Sequence, residues 1–238
     1  MSILIEVALG TVDDARAAQE AGADRIELNS ALELGGLTPS LAALRLVREA
    51  VELPVITMLR PRPGGFVYSP GEMLTMQRDA ELLCGEGAAG VAFGLLNADR
   101  NIDVRATEAI VKQVAGKCET VFHRAFDLTA DPLAALETLI ELGVTRVLTS
   151  GQARSAAEGI ELIQTLIERA RGRIEVLPGA GITAANARYI VERTGAGQLH
   201  GSFSEKCADF AGIVCDGAYR ATSAEMIRAT RAALGATV

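Results

Sequence analysis

Short apolar runs rich in β-branched residues alternate along the chain with longer stretches of helical period, the pattern of strand–helix units joined into a parallel sheet. The pattern predicts strands over residues 4–9, 25–29, 55–60, 90–94, 120–124, 146–150, 174–178 and 198–200. Eight strands in 238 residues leave about 30 residues per unit, closer to a (β/α)8 barrel of ~250 residues than to a doubly wound sheet of five or six strands. The fold class is thus read as α/β, a single-domain (β/α)8 TIM-type barrel with a C-terminal extension.

Turn and cap residues fall at the unit boundaries. Gly22, Gly87, Gly143 and Gly195 each follow a helical run and come shortly before an apolar strand, where a helix ends in a left-handed residue. Thr11-x-x-Asp14, Ser69-x-x-Glu72 and Ser155-x-x-Glu158 have capping-box spacing, and Thr38-Pro39 and Asp131-Pro132 set a capping side chain before proline. Two connections exceed the usual two to six residues. One runs from Arg60 to Tyr68 and carries Arg62 and Gly64-Gly65; the other spans about 203–222, ahead of a helix near 223–234. Residues 1–202 are read as the barrel and 203–238 as a C-terminal loop and helix packed on the same domain, the loop covering the barrel or making a subunit contact.

Composition narrows the partners. With 49% hydrophobic and 22% charged residues, the chain has an ordinary globular balance and needs no disulfide or metal to fold. A formal charge of -7 and a pI near 5.0, without a Lys/Arg run, repel phosphate backbones and anionic lipid, so neither nucleic acid nor a membrane surface is expected as partner. No export signal or membrane-length apolar run is visible, and a cytoplasmic location is expected. Cys84, Cys118, Cys207 and Cys215 never form C-x-x-C and are read as reduced thiols, Cys84 and Cys118 as buried small hydrophobes. Only Cys207 and Cys215 are close enough to meet without help from the fold. Met73 and Met76 share a helix face that suits a core.

In a barrel of this type, strand C-terminal ends converge on one mouth. Those ends bring Glu6, Glu27, Arg60 with Arg62, His123 with Arg124, Ser150-Gly151, Gly179-Ala180-Gly181 and His200-Gly201-Ser202. A carboxylate pointing into a barrel needs a partner, and Arg60 and His123 are the available ones. The cluster is either an ion-paired plug or an acid–base site. In the second case Glu27, His123 and Arg60 are the candidate catalytic residues. Glu6, Arg62, Arg124, Ser150, Gly151, Gly179, Gly181, His200 and Ser202 are then the candidate ligand-binding residues, with Gly179, Gly181 and Ser202 cradling a phosphate after the last strands. The same glycines also serve any tight strand-to-helix turn. With only two histidines, no metal ligand set is assigned from the residues.

Several segments in fixed order resemble the CutC family, long labelled copper homeostasis proteins. They are Gly22-Ala-Asp-Arg-Ile-Glu-Leu28, Gly35-Gly-Leu-Thr-Pro-Ser40, Arg60-Pro-Arg62, Gly65-Phe-Val-Tyr68, Asn101-Ile-Asp103, Phe122-His-Arg-Ala-Phe-Asp127, Leu148-Thr-Ser-Gly-Gln152 and Gly179-Ala-Gly181. The resemblance covers about residues 3–202 and implies a TIM-type barrel, a cytoplasmic location, homo-oligomers and copper handling. Many members read Glu-Leu-Cys where this chain has Glu27-Leu28-Asn29, so a thiol available to them is absent here. The functional expectation is a part in copper homeostasis, with copper binding by this chain resting on the resemblance alone. The alternative is a barrel enzyme acting on a small phosphorylated or carboxylated metabolite, and a third reading is an interaction scaffold.

Overall fold

The structure, a computed structural model, describes residues 3–209 and 218–235. Strands and helices alternate as β1 (Leu4–Leu9), α1 (Val12–Glu20), β2 (Arg25–Leu28), α2 (Leu41–Ala50), β3 (Val55–Met58), α3 (Pro70–Gly85), β4 (Gly90–Phe93) and α4 (Val104–Val114). They continue as β5 (Glu119–Phe122), α5 (Pro132–Glu141), β6 (Arg146–Thr149), α6 (Ile160–Ala170), β7 (Glu175–Pro178), α7 (Ala187–Thr194) and β8 (Gln198–Gly201). The eight strands form one parallel sheet in the order β7-β6-β5-β4-β3-β2-β1-β8. A parallel bridge between Gly179 and His200 joins its two edges and nearly closes the barrel.

Strand alternation separates two apolar layers. Outward residues such as Val7, Leu28, Phe93, Phe122 and Leu199 pack under the helices with Leu44, Leu139 and Ile163, all essentially inaccessible to water. Ile56, Met58, Ala92, Val121, Leu148 and Leu177 form a separate cluster that fills the barrel interior. No helix among the described residues is long and apolar enough to cross a membrane.

Most predicted boundaries hold, and the departures have local causes. Ser69 and Glu72 make the full reciprocal capping box of α3, Thr11 caps α1, and Asp131 caps α5 ahead of Pro132. Thr38 does not cap α2. Ser40 does, because Thr38 is taken up by the Arg60 backbone, whose N–H it accepts at 2.9 Å. Ser155 accepts from the Glu158 N–H at 3.3 Å but only closes a turn, since α6 starts at Ile160. His123 and Arg124 leave the predicted strand for a short 3-10 helix, Arg124–Leu128, which His123 caps.

Two expectations are corrected. Cys84 in α3 and Cys118 just before β5 are not free thiols; they are joined by a disulfide. They lie 34 residues apart and meet because α3 and β5 both flank β4. Cys207 has a free thiol, and Cys215 lies outside the described residues, so their proposed meeting falls outside the description. The connection after β8 is not plain loop. It contains an antiparallel hairpin of β9 (Ser204–Ala208) and β10 (Ala218–Thr222), followed by α8 (Ala224–Gly235), whose Ile227 is fully buried in the helical layer.

Candidate active site at the barrel mouth

Inward-facing charge occupies both ends of the barrel. At the N-terminal end, Arg25, Glu119, Arg146, Glu175 and Gln198 are each the first residue of a strand. Arg146 donates to Glu175 at 2.7 Å and to Glu119 at 3.0 Å, Gln198 donates to Glu175 at 3.1 Å, and Arg25 donates to Gln198 at 2.8 Å. This ion-paired plug, in which Arg146 Nη1 is the one buried side-chain atom without a partner among the described residues, is the kind of network that one reading of the sequence placed at the mouth. It went unpredicted because its members open their strands, although they share the alternation of Glu6 and Glu27.

The C-terminal end is different. A cavity of about 500 Å³ opens there, lined by Glu27, Asn29, Arg60, His123, Arg124, Gly181, His200 and Ser202 together with apolar Met58, Phe66 and Phe203. Seven buried side-chain polar atoms lack a hydrogen-bond partner among the described residues, and four belong to this wall: Glu27 Oε2, Asn29 Oδ1, Arg60 Nε and His123 Nε2. Buried polar atoms are normally paired, so this concentration marks where a ligand or water is expected.

His123 is 4% exposed, and its Nδ1 accepts the Ala125 N–H at 3.1 Å. Burial, reinforced by the Arg60 charge, pushes its pKa down to about 3. The ring is therefore neutral, with its proton on the unpartnered Nε2. Phe66 packs against it with centroids 4.9 Å apart. Gly94 makes the space: a Cβ there would lie 2.3 Å from His123 Cε1.

Glu27, 3% exposed, accepts from Asn29 Nδ2 at 3.1 Å through Oε1. Burial raises its pKa, and the Glu6 charge adds to the rise against the opposing pull of His200. Glu6 lies behind His200 and off the cavity wall. It is paired to Arg25 Nε and to His200 Nδ1, the latter at 2.7 Å. Burial opposes ionisation of Glu6, but the His200 bond and charge and the Arg25 charge outweigh it and hold the carboxyl at about 2.

Arg60 is 6% exposed and pinned. Its guanidinium donates to the carbonyls of Leu34, Gly35 and Gly36 at 3.2, 3.1 and 3.3 Å and of Gly64 at 2.7 Å. It ties the loops after β2 and β3 together and lends charge to the mouth without swinging as a clamp. Arg62 does not join it: it pairs with Glu72 and lies over the Tyr68 ring, away from the cavity. Ser150 and Gly151 are also structural. Ser150 N–H and Oγ donate to Asp127, and Gly151 N–H donates to Thr149 Oγ1 at 2.9 Å. Arg124 bridges Asp127 at 2.8 Å and Ser150 at 3.0 Å, and its side chain reaches the cavity rim. Gly179 is used in closing the barrel, while Gly181 and Ser202 do line the cavity. Arg220 of β10 also lines it. No pattern in its own segment marks that residue, because only the hairpin carries it there.

Soft-metal donors are sparse. Among the described residues, the cavity wall contains the thioethers of Met58 and Met226 and no cysteine; Cys84 and Cys118 are bonded to each other. Cu(I) prefers thiolate and thioether sulfur, so the mouth suits it poorly. The oxygen and nitrogen donors of Glu6, Glu27 and His200 converge instead.

Comparison with known proteins agrees with this architecture. The model of the CutC family matches residues 3–205. A family protein CutC of Treponema denticola is 52% identical over 199 residues, covering 84% of this chain and 80% of its own. The human copper homeostasis protein cutC homolog is 47% identical over 197 residues, covering 83% and 72%. A crystal structure of CutC from Streptococcus agalactiae superposes with a TM-score of 0.80 at 33% identity, over 84% of this chain and 98% of that one. An aldolase at 18% identity and TM-score 0.63, covering 83% and 89%, shares the fold alone.

Proposed function

Because the chain belongs to the CutC family, we propose that it takes part in copper homeostasis, as the human relative's name says of that protein, through acid–base chemistry on a small metabolite. It is not proposed as a Cu(I) carrier. The metabolite carries phosphate or carboxylate. One observation carries this reading: the unpartnered Glu27 Oε2, His123 Nε2 and Arg60 Nε belong to the wall of one cavity, on a fold whose active sites lie at that end.

The division of labour follows from the geometry. Arg60, Arg124 and Arg220 make the wall positive, so an anion is attracted despite the chain's formal charge of -7. Neutral His123 offers Nε2–H to a carbonyl or developing oxyanion. Glu27, its pKa raised by burial, is suited to hold and return a proton. Gly181 and Ser202, which also line the cavity, are the candidate anion-binding residues there. A cytoplasmic location, homo-oligomeric assembly and a single folded unit formed by residues 1–202 and 203–238 belong to the same proposal.

The test is to incubate the purified chain with a small-metabolite extract and follow composition by mass spectrometry. Consumption of a phosphorylated or carboxylated compound by the native chain, lost in Glu27→Gln and in His123→Gln, is expected. No consumption, or equal consumption by the variants, overturns the catalytic reading. A Cu(I) titration in competition with a chelator tests the rest, and binding tighter than micromolar would contradict it.

A further inference from the structure

Glu6, Glu27 and His200 each offer one donor atom, and the three lie within 4.8 Å of one another. They come from neighbouring strands: β1 pairs with both β2 and β8, setting Glu6 beside Arg25 and His200, and Ala8 beside Glu27. Glu6 and Glu27 are 1% and 3% exposed, so water does little to relieve their charge.

Glu6 has its cation. Arg25 is paired to it and spends a second donor on Gln198 at 2.8 Å. Glu27 has none: among the described residues no Lys or Arg donates to it, and its Oε2 is buried with no partner at all. A buried carboxylate oxygen without a donor is a costly arrangement that persists where something else supplies positive charge. His200 is the nearest candidate, and its Nδ1 is occupied by Glu6 at 2.7 Å. His200 itself lines the cavity, with Glu6 holding its Nδ1 from behind. A carboxylate behind an imidazole, orienting it toward an open cavity, is the support that metal-ligating histidines usually have.

We propose that this cluster is a binding site for one divalent transition cation of the class that takes mixed imidazole and carboxylate donors, such as Zn(II), Mn(II) or Co(II). Glu27 and His200 are its cavity-side ligands, and Glu6 serves as ligand or orienting partner. The donor set is hard to borderline, which separates it from a cuprous site. Binding takes the lone pair of the imidazole nitrogen that Glu6 leaves free, any proton held there leaving to solvent, and sets a divalent charge beside Glu27. The site does not rest on the metabolite reading, since it requires three side chains and no turnover. With the ion bound, Glu27 is a ligand and no longer a proton carrier, so the cation and acid–base chemistry at Glu27 exclude each other.

The experiment titrates the chelator-treated full chain with Co(II), read by visible absorption, and with Zn(II), read by calorimetry. One ion per chain is expected, with a spectrum of nitrogen and oxygen ligands. Glu27→Gln and His200→Gln are each expected to weaken binding by more than ~10-fold, the loss that removal of an outer partner alone can cause. Circular dichroism melting confirms that both variants are folded; if His200→Gln is not, Glu27→Gln decides alone. Binding unchanged in Glu27→Gln, a thiolate charge-transfer band implicating Cys207, or no binding at all would overturn the site. In the native chain, metabolite turnover with no ion bound overturns this site alone, and one ion bound with no turnover overturns the proposed function alone.

Discussion

Glu6 accepts a 2.7 Å hydrogen bond from His200 Nδ1, and because Glu6 stays ionised to about pH 2 it is an acceptor only, so Nδ1 must be the donor. The buried carboxylate thus decides which nitrogen His200 has left for the mouth. The same carboxylate neutralises Arg25, so a single side chain links the N-terminal plug to the cavity end of the barrel.

Removing that carboxylate should be expensive. Glu6→Gln leaves the 6% exposed Arg25 without its charge partner, a change that costs about 3–5 kcal/mol when a buried pair is broken from one side. Urea denaturation followed by circular dichroism measures it. The double variant Glu6→Leu with Arg25→Met should lose less than Glu6→Gln alone, and a loss below about 1 kcal/mol in the single variant would contradict the role assigned to the pair.

Glu27 should show the opposite sign. Its raised pKa means that the ionised form is disfavoured by folding, so at pH 7 the charge lowers stability. Glu27→Gln is expected to raise stability by on the order of 1 kcal/mol, or about 2–4 °C in Tm for a chain of this size. Differential scanning calorimetry without added metal is the measurement. Lower Tm would mean that Glu27 has a partner in solution.

His123 predicts an acid limb. Its folded pKa of about 3 lies below the ordinary 6.5, so the unfolded chain binds the proton first. The stability that neutral His123 contributes is present above pH 6.5 and is lost as pH falls toward 3. Glu6, held at about 2 against an ordinary 4.5, adds a further loss at lower pH. The difference in unfolding free energy between the native chain and His123→Gln should be constant above neutrality and shrink as pH drops below about 6.5. A flat difference down to pH 4 would show that His123 is solvated.

The Cys84–Cys118 disulfide closes a 34-residue separation, a loop whose constraint is worth about 3–4 kcal/mol. Cys84→Ser with Cys118→Ser should lose about that much in urea, and thiol titration of the unreduced, unfolded chain should find at most two reactive groups per molecule. Four would mean that the bond is not formed. Reducing agent should lower Tm in the native chain and leave the double variant unchanged.

Much of the barrel was legible in the chain itself. Eight apolar runs of strand length, separated by helical period and closed by glycines such as Gly22 and Gly195, place the elements within a few residues of where they lie. Position at strand C-terminal ends also brought Glu27, His123 and His200 to the mouth. Alternation of faces alone does not separate height along the barrel. Arg25 and Glu27 share parity, yet one belongs to the plug and the other to the cavity. Arg60 and Arg62 stand two positions apart in one loop and both read as residues of the site. Only the loop conformation, with four carbonyls gathered on Arg60 and Glu72 drawn to Arg62, distinguishes them.

Local sequence therefore determined the element order, the faces and the family, because helix period, strand alternation and turn residues are properties of a few consecutive positions. Tertiary structure decided the pairings between distant segments: Glu6 with His200 across 194 residues, Cys84 with Cys118, and Arg220 with the cavity. Those depend on barrel closure, which sets β1 between β2 and β8. The free oxygen of Glu27 is likewise decided there, since whether a buried carboxylate has a partner depends on what every surrounding strand brings to it.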